Sequence, residues 1–387
     1  MENFEEKTCL CALNRIFGFE PKTALALISH LGSASDVLRM SAEEKDRLLG
    51  PHSKHKATIH LKAVEDARSE LLALQDKGIR FCGITEDMYP QLLKECPDAP
   101  IGLYIRSSTP PQDLWKSNSV AVVGTRNITP YGKEWCPRLV KGLSAAQEPP
   151  VIVSGLALGV DIEAHKTALD CGLPTIAVMA TGPDEIYPQR HRTFAERMAL
   201  TPGCALITDY PPGTSPLAIH FLRRNRIIAG LSRATVLIES KLKGGGMMTC
   251  RLAFSYDRDV YALPGRIDDM CSQGCNDLIR RKIAEPVTSV SSLAEGLGLS
   301  CRRIASKPDI RSLLQSHYRP AHSEEDISML SSVMNAVSRN RGITVEELGE
   351  HLNIGYIRAA ELTGLLEIDG FIITDLLQRC SINPKIM

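Results

Sequence analysis

The chain has 387 residues, of which 43% are apolar and 23% are charged, as in an ordinary globular protein of two or three domains. Its 45 basic residues balance 45 acidic ones, so attraction for phosphate must come from local clusters and not from total charge. No apolar run approaches the ~20 residues that span a bilayer, and the polar, acidic start MENFEEKTCL is unlike a secretory signal. We therefore expect a cytoplasmic protein without a membrane segment.

Residues 1–90 are predicted to form a small helical domain of the SAM or helix-hairpin-helix type. Apolar residues recur at helical spacing in TALALISHLG and VEDARSELLALQDKG, and Ser41 with Glu44 forms a capping-box pattern. Such a domain either touches phosphate through hairpin amides or serves as a scaffold for partner docking, and we favour the scaffold. Residues 91–118 contain several prolines and are predicted to be an extended connector.

From residue 119 onward, short apolar strands alternate with helical stretches. The predicted strands are VAVV (120–123), VIV (151–153), TIAVM (175–179), ALIT (205–208), ATVLIE (234–239) and VYAL (260–263). Continuous apolar strands separated by helices predict a parallel sheet that is covered on both faces. We assign residues 119–290 to an extended Rossmann-like, doubly wound α/β domain, whose ligands are expected beyond the carboxyl ends of the strands.

The last part of the chain is predicted to be a serine-rich linker, residues 291–324, and a winged-helix-like domain, residues 325–387. Three helical patterns and the strand FIITD support the second assignment. The third of these helices carries a single basic residue, Arg358, against several carboxylates. Because a helix that reads a DNA groove is normally basic, we favour protein contact over duplex reading for this domain.

Twelve cysteines are scattered along the chain, and the closest pairs are Cys9 with Cys11 and Cys271 with Cys275. No CxxC pair occurs, which argues against a structural zinc site. Most of these residues are expected to be reduced thiols that pack as small apolar side chains. We assign neither a metal nor a cofactor.

The stretch Tyr210–Ile238 contains four arginines and no acidic residue, which makes it a basic island in a neutral chain. Its central residues are Arg223, Arg224, Asn225 and Arg226. Because no carboxylate is near in sequence, phosphate binding is favoured over arginines that are merely solvated. Phe221 lies two residues before Arg223 and is assigned to stack on a base, a contact of about 1–3 kcal/mol in known systems.

Glycine-containing turns follow three of the predicted strands, and their amides are expected to approach a phosphate closely at one edge of the sheet. An arginine, a lysine and a serine add side-chain donors. The turn residues assigned to the site are Gly124, Thr125, Arg126, Ser154, Gly155, Lys243, Gly244 and Gly245. The pattern GxxxxGK[ST] is absent from the chain, so ATP hydrolysis is not indicated.

Asp161 and His165 are four residues apart and lie on one face of a predicted helix. They are either a catalytic pair or a capping aspartate with a packed histidine. We favour the second interpretation because no nucleophile is evident beside them. No catalytic residue is assigned.

In this order, the segments resemble the DNA-processing protein A family (DprA/Smf) of bacteria. The matching motifs are VAVVGTRNITPYG, SGLALGVDIEAH, TIAVMATGPDEIYPQRHR, YPPGTSP, HFLRRNRIIAGLSRATVLIE, GGGMMTCRLA and ALPGRIDD with GCNDLIRR. The chain departs from the family at 244–246, where Gly-Gly-Gly replaces the usual Ser-Gly-Ser, and at Leu222, where proline is usual. Its tail also lacks the common Pro-Gly-containing wing.

The resemblance implies a protein that binds single-stranded DNA, forms a homodimer and loads the recombinase RecA onto strands covered by single-strand-binding protein during natural transformation. It implies binding and hand-over without bond cleavage. Carried over by motif, the phosphate ligands are Arg126, Arg223, Arg226 and Lys243, and the residues that shape the pocket are Gly124, Ser154 and Gly245.

Two other functions remain open from the sequence. A nucleotide-processing enzyme of the phosphoribohydrolase type would need a carboxylate beside the phosphate pocket, for which Glu239 and Asp161 are the candidates. A pure interaction scaffold would bind no nucleic acid at all.

Overall fold

The computed structural model describes residues 2–300, 310–319, 323–340 and 342–383. The chain divides into two compact units, Met1–Arg302 and Arg303–Met387. Within the described ranges, no helix is both long and apolar enough to cross a membrane. The 11 cysteines described are free thiols, and nine of them are buried, as expected for small apolar side chains.

The first unit begins with helices. They are α1 (Glu2–Phe17), α2 (Pro21–Leu31), α3 (Ala34–Arg39), α4 (Ala42–Leu49) and α5 (Leu61–Gln75). The predicted capping box starts α4, since the Ser41 side chain accepts from the Glu44 amide and the Glu44 side chain accepts from the Ser41 amide. Gly32 ends α2 in the left-handed conformation, with φ of 99°, which glycine adopts without strain.

Two strands lie outside the range predicted for the Rossmann-like domain. The elements here are β1 (Ile79–Gly83), α6 (Gln91–Lys94), β2 (Gly102–Arg106) and α7 (Pro111–Leu114). Leu103, Tyr104 and Ile105 are fully buried, because β2 pairs with both β1 and a strand of the main sheet. The segment predicted as a connector is therefore also a structural part of that sheet, and the predicted helical segment ends in a strand.

All six predicted strands are present. The elements that follow are β3 (Ser119–Val123), α8 (Pro130–Leu143), β4 (Val151–Gly155), α9 (Val160–Asp170), β5 (Thr175–Val178), a short 3-10 helix (Gln189–His191), α10 (Arg192–Leu200), β6 (Ala205–Thr208), α11 (Ala218–Leu231), β7 (Ala234–Leu237), α12 (Gly245–Ser255), β8 (Asp259–Ala262), α13 (Gln273–Arg280), β9 (Glu285–Pro286) and α14 (Val290–Gly296). The helices between strands carry the chain back across the sheet, which parallel pairing requires.

In the described residues, nine strands form one sheet in the order β1-β2-β6-β5-β4-β3-β7-β8-β9. The pairs from β6 to β9 are parallel, whereas β2 runs antiparallel to both of its neighbours, β1 and β6. Val120 and Val122 pack into one apolar cluster, whereas Ala121 and Val123 pack into another, so both faces are covered as predicted. The strand order reverses between β3 and β7, and this switch point opens a crevice at the carboxyl edge.

The second unit is smaller. Its elements are α15 (Ile310–Tyr318), α16 (Glu324–Arg339), β10 (Ile343–Thr344), α17 (Val345–His351), α18 (Gly355–Ile368), β11 (Ile372–Thr374) and β12 (Arg379–Ile382). The last three strands form an antiparallel sheet in the order β10-β12-β11. Of the predicted linker, 301–309 and 320–322 lie outside the described residues, and α15 packs Leu314 and Tyr318 into the core of this unit.

Candidate nucleic-acid interface

The three predicted glycine turns meet at the carboxyl edge of the sheet. The Thr125 amide donates to the Glu239 carbonyl at 2.8 Å, which joins the turn after β3 to the segment after β7. The Val160 amide donates to the Thr125 carbonyl at 3.1 Å, which joins the turn after β4 to the same point. A β-carbon at Gly246 would lie only 3.3 Å from the Gly124 α-carbon. We call these three turns, which follow β3, β4 and β7, the turn edge. The prediction that they converge is confirmed.

Gly159 allows the first two turns to pack backbone against backbone. Its φ is 79°, in the region that favours glycine. A β-carbon there would lie 2.6 Å from the Arg126 carbonyl oxygen and would also collide with the Thr125 oxygen. Glycine is thus required twice, for the conformation and for the close approach, and the main chain that presents Arg126 is fixed in place.

Arg126 lies exposed at the rim of the turn edge, next to two aromatic rings. Its guanidinium carbon is 4.9 Å from the centre of the Phe221 ring, a cation–π contact of roughly 0.5–1 kcal/mol at an exposed site. The Tyr187 ring packs edge-on against Phe221 at 5.5 Å, and Tyr187 is 43% exposed. Tyr187 was missed from the sequence, although its position after the carboxyl end of β5 places it at the same edge.

The turn after β7 leads directly into α12, whose first turn packs against Gly124 of the turn edge. Lys243 is exposed beside Gly244, and no atom of the described structure would contact a β-carbon at Gly245. The Asn225 side-chain amide donates to the Gly245 carbonyl at 3.4 Å and so ties α11 to this turn. An exposed cation beside free helix-start amides is suited to an anion.

Arg224 lies beneath the turn edge and is only 4% exposed. Its guanidinium donates to the Val178 carbonyl at the end of β5. A side chain at Gly155 would collide with both this guanidinium and the Asp161 carboxylate. Burial raises the pKa of Asp161, and the charge of Arg224 opposes that rise. Arg224 is therefore a buried positive charge beneath the turn edge, and its guanidinium does not reach the surface of that edge.

The structure corrects the expectation for Arg226 and Arg223. The Arg226 guanidinium is buried, forms an ion pair with Asp209 at 2.5 Å and donates to the Asp98 carbonyl. The Arg223 guanidinium donates to the Gly18 and Phe19 carbonyls at 2.6 and 2.7 Å. Neither group faces the turn edge. Asp209 was overlooked because it directly precedes the acid-free stretch in sequence and reaches Arg226 only through the fold.

Two further predicted side chains are structural. The Ser154 hydroxyl is buried and donates to the Val122 carbonyl at 2.6 Å, so it is not a free phosphate donor. His165 is fully buried between the Gly155 carbonyl and the Thr175 hydroxyl, each at 2.7 Å. Burial lowers the pKa of His165 to about 4. His165 is thus a packed histidine, as favoured, whereas Asp161 is not the predicted cap, because Gly159 is the N-cap residue of α9 and no side chain caps that helix.

The carboxylate of Glu239 is also occupied. It is fully buried and accepts from the Thr129 amide at 3.0 Å and from the Thr129 hydroxyl, at the start of α8. Glu239 and Asp161 were the two candidate carboxylates for a nucleotide-processing enzyme. Because Glu239 is engaged at the start of α8, Asp161 is the candidate that remains. Within the described ranges, no group of three or more His, Cys, Asp or Glu side chains is arranged to hold a metal ion.

Comparison with known proteins places the first unit among DNA-processing proteins. The family model described as DNA recombination-mediator protein A matches residues 80–298, which include most of β1 and all of β2. The DNA processing protein DprA of Streptococcus pneumoniae is 41% identical over 206 residues, which are 53% of this chain and 70% of that relative.

Solved structures agree with the fold. The X-ray structure of DprA from Streptococcus pneumoniae aligns with a TM-score of 0.62 and 30% identity, over 76% of this chain and 96% of that one. A Helicobacter pylori DprA structure, described in terms of its single-stranded DNA binding mode, aligns with a TM-score of 0.50 and 30% identity, over 56% and 95%. Since the family model covers more than half of the 387 residues, the chain belongs to the DNA recombination-mediator protein A family.

Proposed function

We propose that this protein binds single-stranded DNA across the turn edge and hands it on without cleaving it. The observation that carries the proposal is the convergence of three glycine turns with the exposed Arg126–Phe221 pair. Turn amides and Arg126 would hold phosphates, while Phe221 and Tyr187 would stack on bases, a combination that tolerates many sequences. The description of the Helicobacter pylori relative supports the same ligand.

The proposed contacts divide into a surface set and a supporting set. The surface set, which touches the strand, is Gly124, Thr125, Arg126, Tyr187, Phe221, Lys243, Gly244 and Gly245. The supporting set, which shapes the turn edge and holds α11, is Ser154, Gly155, Arg223, Arg224, Asn225 and Arg226. Burial and existing hydrogen bonds support this division, because a donor already used inside the protein is costly to redirect to a ligand.

The partners follow from the family and are proposals in the same sense. We propose that the protein acts as a cytoplasmic homodimer that loads RecA onto strands covered by single-strand-binding protein, in natural transformation. RecA filament assembly on such covered strands, followed by strand exchange, tests this directly. Addition of the protein should shorten the lag before exchange begins, and an unchanged lag would contradict the loading role.

The two flanking regions are also proposed to be modules. We propose that residues 1–90 contain a SAM or helix-hairpin-helix-like domain, ending before β1, and that the second unit is a winged-helix domain that contacts protein. In support of the latter, Arg358 on α18 is engaged by Glu361 at 2.9 Å and Asp326 at 3.0 Å, so no free cation on this helix faces a DNA groove.

Fluorescence anisotropy with labelled single- and double-stranded oligonucleotides, each at two salt concentrations, tests the main proposal. We expect tighter binding to single strands, with affinity falling steeply as salt rises because phosphates release counterions. Failure to bind single strands at low salt would favour the scaffold. Release of free base from nucleoside monophosphates would favour the nucleotide-processing enzyme, with Asp161 as its carboxylate.

A further inference from the structure

The N-terminal helices contact α11 through the short turn between α1 and α2. The Arg223 guanidinium donates to the carbonyls of Gly18 and Phe19 in that turn. Nearby, the Asn14 side-chain amide on α1 donates to the Asp209 carbonyl at 2.8 Å. The turn is thus fastened to the same helix that carries Phe221.

Phe19 is held by these contacts and still remains 52% exposed. The guanidinium carbon of Arg223 lies 4.2 Å from the centre of its ring, and the rings of His220 and Tyr210 lie 5.7 and 6.2 Å away at tilted angles. Isolated exposed apolar side chains are common on protein surfaces. A half-exposed aromatic ring with a cation over one face is less ordinary, because its accessible surface is available to stack on a base.

The position of Phe19 relates it to the turn edge. Its ring contacts His220, the residue directly before Phe221, and consecutive α-carbons are only about 3.8 Å apart. Phe19 and the Phe221–Arg126 pair therefore flank the same amino-terminal end of α11. A strand that is held at the turn edge and continues along this end of α11 would reach both rings.

The charge around Phe19 also suits a nucleic acid. The guanidinium of Arg223 donates to neutral carbonyls, and these partners do not cancel its positive charge. The adjacent carboxylate, Glu20, is bonded by Lys54 at 2.5 Å and by His55 at 3.0 Å, and these contacts hold its pKa below the usual value. The one acidic group in this turn is thus compensated by the charge of Lys54, which limits repulsion of phosphate.

We propose that Phe19 is a second base-stacking platform for single-stranded DNA, positioned by Arg223, so that the N-terminal helical segment takes part in strand binding. The inference rests on the proposed function and extends it beyond the sheet. It also gives Arg223 a role: this residue orients the ring and is not a phosphate ligand. Stacking on Phe19 should be independent of base sequence, because every base has an aromatic face.

The test uses the full-length protein and three matched substitutions. Phe19→Leu removes the platform but keeps an apolar side chain, Phe221→Leu does the same at the turn edge, and Phe254→Leu is the control. Phe254 is 55% exposed, close to Phe19, but lies at the far end of α12. Binding is measured by anisotropy over a range of salt concentrations, with strands that carry 2-aminopurine at successive positions, because stacking quenches its fluorescence.

We expect Phe19→Leu to weaken binding of long strands roughly tenfold, as the loss of one stacked base implies. The slope of log affinity against log salt should stay unchanged, since no charge is removed. Quenching should disappear at one position of the strand and persist at the position that stacks on Phe221. Phe254→Leu should bind like the wild type, and circular dichroism should show all three variants folded.

Arg223→Lys separates positioning from charge, because lysine keeps the charge but cannot hold two carbonyls in a fork. We expect it to weaken binding as Phe19→Leu does, and the double variant to bind no worse than either single one. Normal affinity and quenching in Phe19→Leu, alongside weak binding in Phe221→Leu, would overturn the platform and leave the proposed function standing. No single-strand binding by the wild type would overturn both.

Discussion

The turn edge and the arginines of α11 were predicted from the sequence with equal ease, yet the fold treats them differently. The turns converge as expected, since a strand order that reverses at β3 and β7 forces neighbouring carboxyl ends together. The arginines diverge: Arg223 contacts the N-terminal helices, Arg224 lies under the pocket and Arg226 pairs with Asp209. Backbone geometry follows from topology, whereas the environment of a charge depends on distant residues.

The largest effect on stability is expected at Arg226, whose buried charge is paired within the fold. Arg226→Ala would leave the buried Asp209 carboxylate without its partner, so we expect the free energy of unfolding to fall by about 3–5 kcal/mol. Urea unfolding followed by circular dichroism measures this. Arg233→Ala is the matched control, because Arg233 belongs to the same basic stretch but is exposed, and it should change stability by less than about 0.5 kcal/mol. Equal stability in both variants would mean that Arg226 is no structural residue.

A substitution at Gly159 tests the turn edge itself. Gly159→Ala should lower the free energy of unfolding by about 2–3 kcal/mol, since the new methyl group meets strained backbone and main-chain oxygens. Single-strand affinity should fall with it, because the turn of Arg126 must move. Gly172→Ala shares a positive φ, here 70°, but has open space around it, so it serves as a control without the collision. If Gly172→Ala weakened DNA binding as strongly, the collision would not be the cause.

The buried histidine beneath the second turn gives a pH test. The pKa of His165 is about 4 in the folded protein and about 6.5 when exposed, so the unfolded chain binds more protons between these values. Its contribution to stability is therefore complete above pH 6.5 and is lost as the pH falls. From pH 7 to pH 5 we expect a loss of about 2 kcal/mol, which His165→Gln should remove. An identical pH dependence in wild type and variant would contradict this account.

The same difference between local patterns and distant contacts determines which features could be predicted from the sequence. All six core strands and the capping box at Ser41 follow from local patterns, and the structure has them. Strands β1 and β2 were missed because β2 is held in the sheet by β6, whose residues are 100 positions away and more, and β1 joins the sheet through β2. Tyr187 was missed because only the packed loop brings it to Phe221, and the Arg226–Asp209 pair was missed because it crosses an element boundary.

Arg126 combines the two features, because it is a charged residue that the backbone of the turn edge holds in position. Arg126→Ala should lower the free energy of unfolding by no more than about 1 kcal/mol, because the side chain is exposed and loses only its cation–π contact. Single-strand affinity should fall roughly tenfold for many sequences alike, and the salt slope should shrink by about one. Arg126→Lys should restore the slope but not the full affinity, since lysine lacks the planar fork. If Arg223→Ala reduced the salt slope while Arg126→Ala did not, the phosphates would lie along α11 and the turn edge would lose its assigned role.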